Sequence, residues 1–76
     1  MAGMAFTLRQ LQFFVAAAEA ASVSGAARAL SISQSSVTEA IQGLEDDLGV
    51  TLFDRKARGL ELTHKGSLFL RHAAQI

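Results

Sequence analysis

Along most of the chain the apolar residues recur at three- and four-residue steps, and only once does the rhythm shorten. Leu8, Leu11, Phe14, Val15 and Ala18 keep the helical step, which predicts an amphipathic helix running to about Ala20. Thr7, three residues before Gln10, fits a capping box at its start. Ser22 or Ser24 can cap a second, short helix over "GAARALS", with Ala26 or Ala27 and Leu30 turned inward. Small side chains there let another helix come close. After "SIS", Ser33 reads as an N-cap, Val37, Ile41, Leu44 and Leu48 form one apolar stripe, and Gly49 stops the third helix. The rhythm then changes. "TLFDR" and "LELT" are short, strand-like pieces separated by "KARG", which predicts a two-stranded hairpin with a basic tip. Thr63 caps a last helix whose spacing continues through Phe69, Ala73 and Ile76. The opening "MAGMA" carries no pattern and is expected to be a loose terminus.

Composition narrows the class. In 76 residues there is room for one small domain, and half the residues are apolar, enough for a core but without the run of about 20 that spans a bilayer. The expectation is a soluble cytoplasmic domain with no membrane partner. With no cysteine there is neither a disulfide scaffold nor a thiolate metal site, and His64 and His72, eight residues apart, make no metal site on their own. Seven basic and seven acidic residues cancel, so net charge does not point to a polyanion, but its distribution is uneven. Arg55, Lys56 and Arg58 cluster at the hairpin, whereas Glu45, Asp46 and Asp47 close the third helix. The three carboxylates read as a solvated helix end rather than acid–base machinery, and Glu45 as the partner of a nearby cation. Neither an enzyme nor a cofactor site is expected.

The third helix has an outer face of Gln34, Ser35, Ser36, Thr38, Glu39, Gln42 and Gly43, none of them long and basic. On an isolated helix such a face would simply be solvated. After a short helix and a three-residue turn, with Ala27 and Val37 ten positions apart, the pattern fits a helix-turn-helix, and the hairpin would make it winged. Short polar side chains then allow a helix deep into the major groove. Gln34 can pair with adenine, Ser35 and Ser36 with a base or a phosphate, and the Thr38 methyl with that of thymine. Arg55, Lys56 and Arg58 suit the phosphate backbone or the minor groove. Leu68, Leu70, Ala74 and Ile76 give the last helix more apolar surface than one contact face needs, which predicts a dimerisation helix.

Residues 8–66 also resemble the N-terminal DNA-binding domain of bacterial LysR-type transcriptional regulators. The resemblance is carried by "LRQLQFFVAAAE", "AARAL", "SQSSVTEAIQGLE", "LGVTLFDR" and the Leu62, Thr63 and Gly66 of "LT..G", in that order. It implies a mainly α winged helix-turn-helix, with three helices and a two-stranded β-wing, followed by the start of a linker helix. It implies further that the linker helices pair antiparallel in a dimer, that an effector-binding domain is absent from this piece, and that the operator is an interrupted inverted repeat rich in A and T. Gln34, Ser35, Thr38, Arg55 and Arg58 occupy positions the family uses on DNA. Two departures stand out. The family often has Pro where this chain has Ser35, and many members have Arg or another cation where it has Glu39.

Together these readings predict a winged helix-turn-helix over residues 7–62 and the start of a linker and dimerisation helix over 63–76. Its partners would be double-stranded DNA and a second copy, with tetramers an option for the intact protein and a small-molecule effector bound only through the missing domain. DNA contacts are expected from Ser33, Gln34, Ser35, Ser36, Thr38, Glu39, Gln42, Arg55, Lys56 and Arg58, and dimer contacts from Leu68, Phe69, Ala73 and Ile76. The rival reading is a winged-helix module for protein–protein interaction, which would suit the zero net charge and Glu39.

Overall fold

The computed structural model describes residues 7–57 and 59–73. They form helices α1 (Leu8–Ala20), α2 (Val23–Leu30), α3 (Gln34–Leu48) and α4 (His64–Ala73), with strands β1 (Phe53–Lys56) and β2 (Gly59–Leu62) between the last two helices. The expected mainly α architecture is observed in the expected order. Local chemistry sets most of the boundaries. Thr7 Oγ1 accepts from the Gln10 amide while the Gln10 side chain accepts from the Thr7 amide, a complete capping box. Ser22 rather than Ser24 caps α2, accepting from Gly25 N at 2.9 Å. Ser33 caps α3 through Ser36 N, and Gly49, at φ 71°, ends it.

The core sits where α1, α2 and α3 meet, with α1 and α3 the most extensively packed pair. Phe14, Leu44, Leu52 and Val37 are its largest fully buried side chains. The Phe14 ring lies 5.3 Å from those of both Phe53 and Phe69, so one aromatic joins α1, the first strand and α4. Both Ala26 and Ala27 are buried, where one of the two was expected, while Leu30 is only half-buried. A methyl-sized side chain at both positions lets α2 lie close on its neighbours.

The buried face of α1 differs from the periodic expectation. Leu8, expected inward, is 62% exposed, and Phe13, outside the predicted stripe, is buried, with the Arg9 guanidinium 5.3 Å above its ring. The helix is apolar over most of its circumference, so periodicity locates its face only approximately and the neighbours decide its edges.

The hairpin is antiparallel, pairing Phe53 with Leu62, Asp54 with Glu61, Arg55 with Leu60 and Lys56 with Gly59. It is docked rather than free. Leu60 N donates to the Ala21 carbonyl at 3.0 Å, and a Cβ at Gly59, whose φ is +135°, would collide with that same oxygen. Glycine at 59 therefore serves both the backbone angle and the close approach. On the other side Thr63 accepts from Gly66 N, and its hydroxyl donates to the Thr51 carbonyl at 2.6 Å. Gly66 is buried against the Leu52 carbonyl, where no side chain would fit.

Candidate nucleic-acid interface

Helix α3 is held from one side only. Val37, Ile41 and Leu44 bury it against the core. At 3.6 residues per turn, Ser35, Glu39, Gln42 and Asp46 then fall on the opposite side, and all four are exposed. This crown is free of packing duties. Gln34 and Thr38 lie on the flank that faces the hairpin. They line shallow clefts shared with Val23, Arg55 and Leu60, and the cleft containing Gln34 holds about 290 Å³. Ser36, half-buried, is on the other flank.

Of the residues predicted from sequence, the structure thus brings Gln34, Arg55 and Lys56 around one cleft, places Thr38 in a neighbouring cleft that shares Arg55, and sets Ser35, Glu39 and Gln42 beside them on the crown. Ser33 and Ser36 are engaged differently. Their hydroxyls are 2.9 Å apart, and that of Ser33 also caps the helix through Ser36 N. The N–H groups of Gln34 and Ser35, first in α3, make no hydrogen bond within the described residues. Arg58 lies outside the described residues.

Strand alternation separates the two described cations of the hairpin. Arg55 is on the same face as buried Phe53 and therefore beside α3, whereas Asp54 and Lys56 alternate to the other face. There Lys56 Nζ lies 3.8 Å from Glu61 Oε1, an exposed pair that stabilises little. Asp54 directly opposes Glu61, so Lys56 also offsets a like-charge pair. From the sequence, Ser22 and Ser24 are only alternative caps. Both line the Gln34 cleft, with their hydroxyls 3.1 Å apart, and the cue was available in the "SVSG" that opens α2.

The acidic end of α3 is also more differentiated than its sequence. Glu45 pairs with no cation among the described residues: its Oε2 accepts from Leu52 N at 2.7 Å and Phe53 N at 3.2 Å. The carboxylate bonds the start of the hairpin directly to the recognition candidate, α3, while Asp46 and Asp47 stay exposed.

On α4, Leu68 is 43% exposed and Phe69 packs on Phe14 of its own domain. Ala73 borders an apolar groove of about 390 Å³ with Leu8, Leu11, Val15 and Leu30. Ile76 and Ala74 are outside the described residues.

A helix presenting short polar side chains beside a docked two-stranded wing is the arrangement a groove-binding module needs. The family model for bacterial regulatory helix-turn-helix proteins of the lysR family matches residues 8–67. The chain belongs to that lysR family. Among its relatives, the HTH-type transcriptional regulator ClcR of Pseudomonas putida is 52% identical over 68 residues, which are 90% of this chain and 23% of ClcR. TfdS of Cupriavidus pinatubonensis is 54% identical over the same shares. This lysR-family chain therefore spans about a quarter of the length of the curated relatives it matches. Those relatives are transcriptional regulators by name, not enzymes. Its structure matches that of a CbnR_DBD-DNA complex with TM-score 0.90 and 46% identity, covering 92% of this chain and 80% of that one. It also matches a BenM_DBD/catB site 1 DNA complex with TM-score 0.89 and 37% identity, covering 92% and 79%.

Proposed function

We propose that this lysR-family domain binds double-stranded DNA sequence-specifically, with α3 in the major groove and the wing on the backbone or minor groove. One observation carries the reading. The face of α3 that makes no packing contact is uncharged at its amino end and lies beside Arg55, on a backbone that matches domains solved with DNA. Gln34, Ser35, Thr38 and Gln42 meet base edges, Glu39 lies among them, and Arg55, Lys56 and Arg58 meet phosphate or the minor groove. Ser33 and Ser36 hold the helix start, and the open amides of Gln34 and Ser35 favour a phosphate oxygen.

In this reading residues 7–62 are the DNA-binding domain and residues 63–76 begin the linker helix. A homodimer formed through Leu68, Phe69, Ala73 and Ile76 sets two such helices on an inverted repeat, and the intact protein assembles as a dimer or tetramer. A small-molecule effector acts through the part of the protein beyond this chain. No helix among the described residues is long and apolar enough to cross a membrane, and a regulator of bacterial genes works in the cytoplasm.

Fluorescence-anisotropy titration against an A/T-rich inverted repeat across a salt series tests the reading. Phosphate contacts release counterions, so log affinity should fall linearly with log salt, at roughly 0.9 per phosphate contacted. Absence of binding, or binding indifferent to salt, would favour a protein partner instead.

A further inference from the structure

Resting on the DNA-binding reading, we propose that Glu39 determines specificity, accepting a hydrogen bond from the N4 amine of a cytosine in each half-site. Its position is the first argument. Glu39 falls on the side of α3 opposite Val37 and Ile41, exposed, one turn beyond Ser35 and one turn before Gln42. That is the part of a groove-bound helix that goes deepest. It has no competing structural role: its carboxylate makes no ion pair or hydrogen bond with a described residue, in contrast to Glu45, which is committed to the Leu52 and Phe53 amides.

Charge is the second argument. The other crown residues are Ser35, Gln42 and Asp46, so no cation on that face neutralises Glu39. Inside a groove walled by phosphates such a carboxylate opposes binding to every sequence, unless a base supplies a donor. An ionised carboxylate only accepts. Guanine N7 and O6, and thymine O4, are acceptors too and repel it. Adenine offers its N6 donor beside the N7 acceptor, a pair that matches an amide better. Cytosine presents N4 as a donor alone, which makes it the complement of a carboxylate. The negative charge thereby acts by exclusion, penalising guanine and thymine at the position it faces.

Selection of bound duplexes from an inverted-repeat pool, with each half-site position randomised in turn, tests this with wild type, Glu39→Gln and Glu39→Ala. Wild type should favour cytosine at one position by about tenfold. Glu39→Gln should move that preference to adenine. Glu39→Ala should flatten the position and leave the others as they were, with unchanged far-ultraviolet circular dichroism. The inference is overturned if both variants bind all duplexes more tightly by one factor with the base preferences of wild type, because Glu39 is then a repelling charge alone. Retention of no duplex by any of the three proteins overturns the DNA-binding reading itself, and this inference with it.

Discussion

Leu52 joins three parts of the molecule through a single residue. Its side chain is fully buried, its N–H donates to Glu45 on α3, and its carbonyl accepts from Thr63 N while lying against Gly66 of α4. The amide partners of Glu45 were not legible in the sequence, because they are seven and eight residues further on and become neighbours only when the chain folds back. Glu45→Ala leaves two amides without their acceptor and should destabilise the domain by about 2 kcal/mol, a loss that thermal unfolding will register. Faster hydrogen exchange at Leu52 and Phe53 than at the Val37 amide locates the effect, whereas uniform protection in the variant would contradict it. Ala21 tests the opposite sign. It holds φ at 54°, a left-handed conformation that costs a residue with a Cβ, and its contribution to the wing is a carbonyl oxygen that any residue carries. Ala21→Gly should therefore raise stability by about 0.5 kcal/mol, offset in part by the greater freedom of glycine in the unfolded chain. A lower melting temperature would show that the Ala21 methyl matters more than the angle.

At the scale of elements, most of the fold was legible because each helix announces itself locally. Caps at Thr7, Ser22 and Ser33 and the stop at Gly49 are short-range chemistry, and the observed spans follow them. The stripe of Val37, Ile41 and Leu44 also fixed which side of α3 is free, so the candidate interface could be read from it. What stayed hidden depends on neighbours. Leu8 and Phe13 exchange their expected places because α1 is apolar on several sides, and the division between Arg55 and Lys56 needs the strand register. The attachment of the wing was equally invisible, since Ala21 and Gly59 are far apart in the chain. This attachment ties the wing to the turn between α1 and α2. Gly59→Ala should detach it, because the new methyl meets the Ala21 carbonyl at a φ unfavourable to alanine. We expect a loss of about 2 kcal/mol in stability, and a fall in DNA affinity that persists at temperatures where the variant is folded. Unchanged affinity in the folded variant would mean that the orientation of the wing does not contribute to binding.

For the molecule as a whole, the exposed Leu68 and the groove lined by Leu8, Leu11 and Ala73 leave apolar surface on the side that carries α4. Dimerisation of this chain should be weak, since a short helix offers limited area, and Leu68→Glu should weaken it further. Sedimentation at high protein concentration reads both, and a monomer throughout for wild type would contradict the dimer. The central claim is a division of labour, in which α3 reads bases and the wing holds phosphate. The most direct measurement is the affinity of Gln34→Ala and Arg55→Ala for an inverted repeat and for random duplex over a range of salt. Gln34→Ala should narrow the ratio between the two duplexes with its salt slope unchanged. Arg55→Ala should weaken both duplexes alike and flatten the slope by about one unit. If both substitutions change ratio and slope in the same proportion, or neither changes either, the division is wrong.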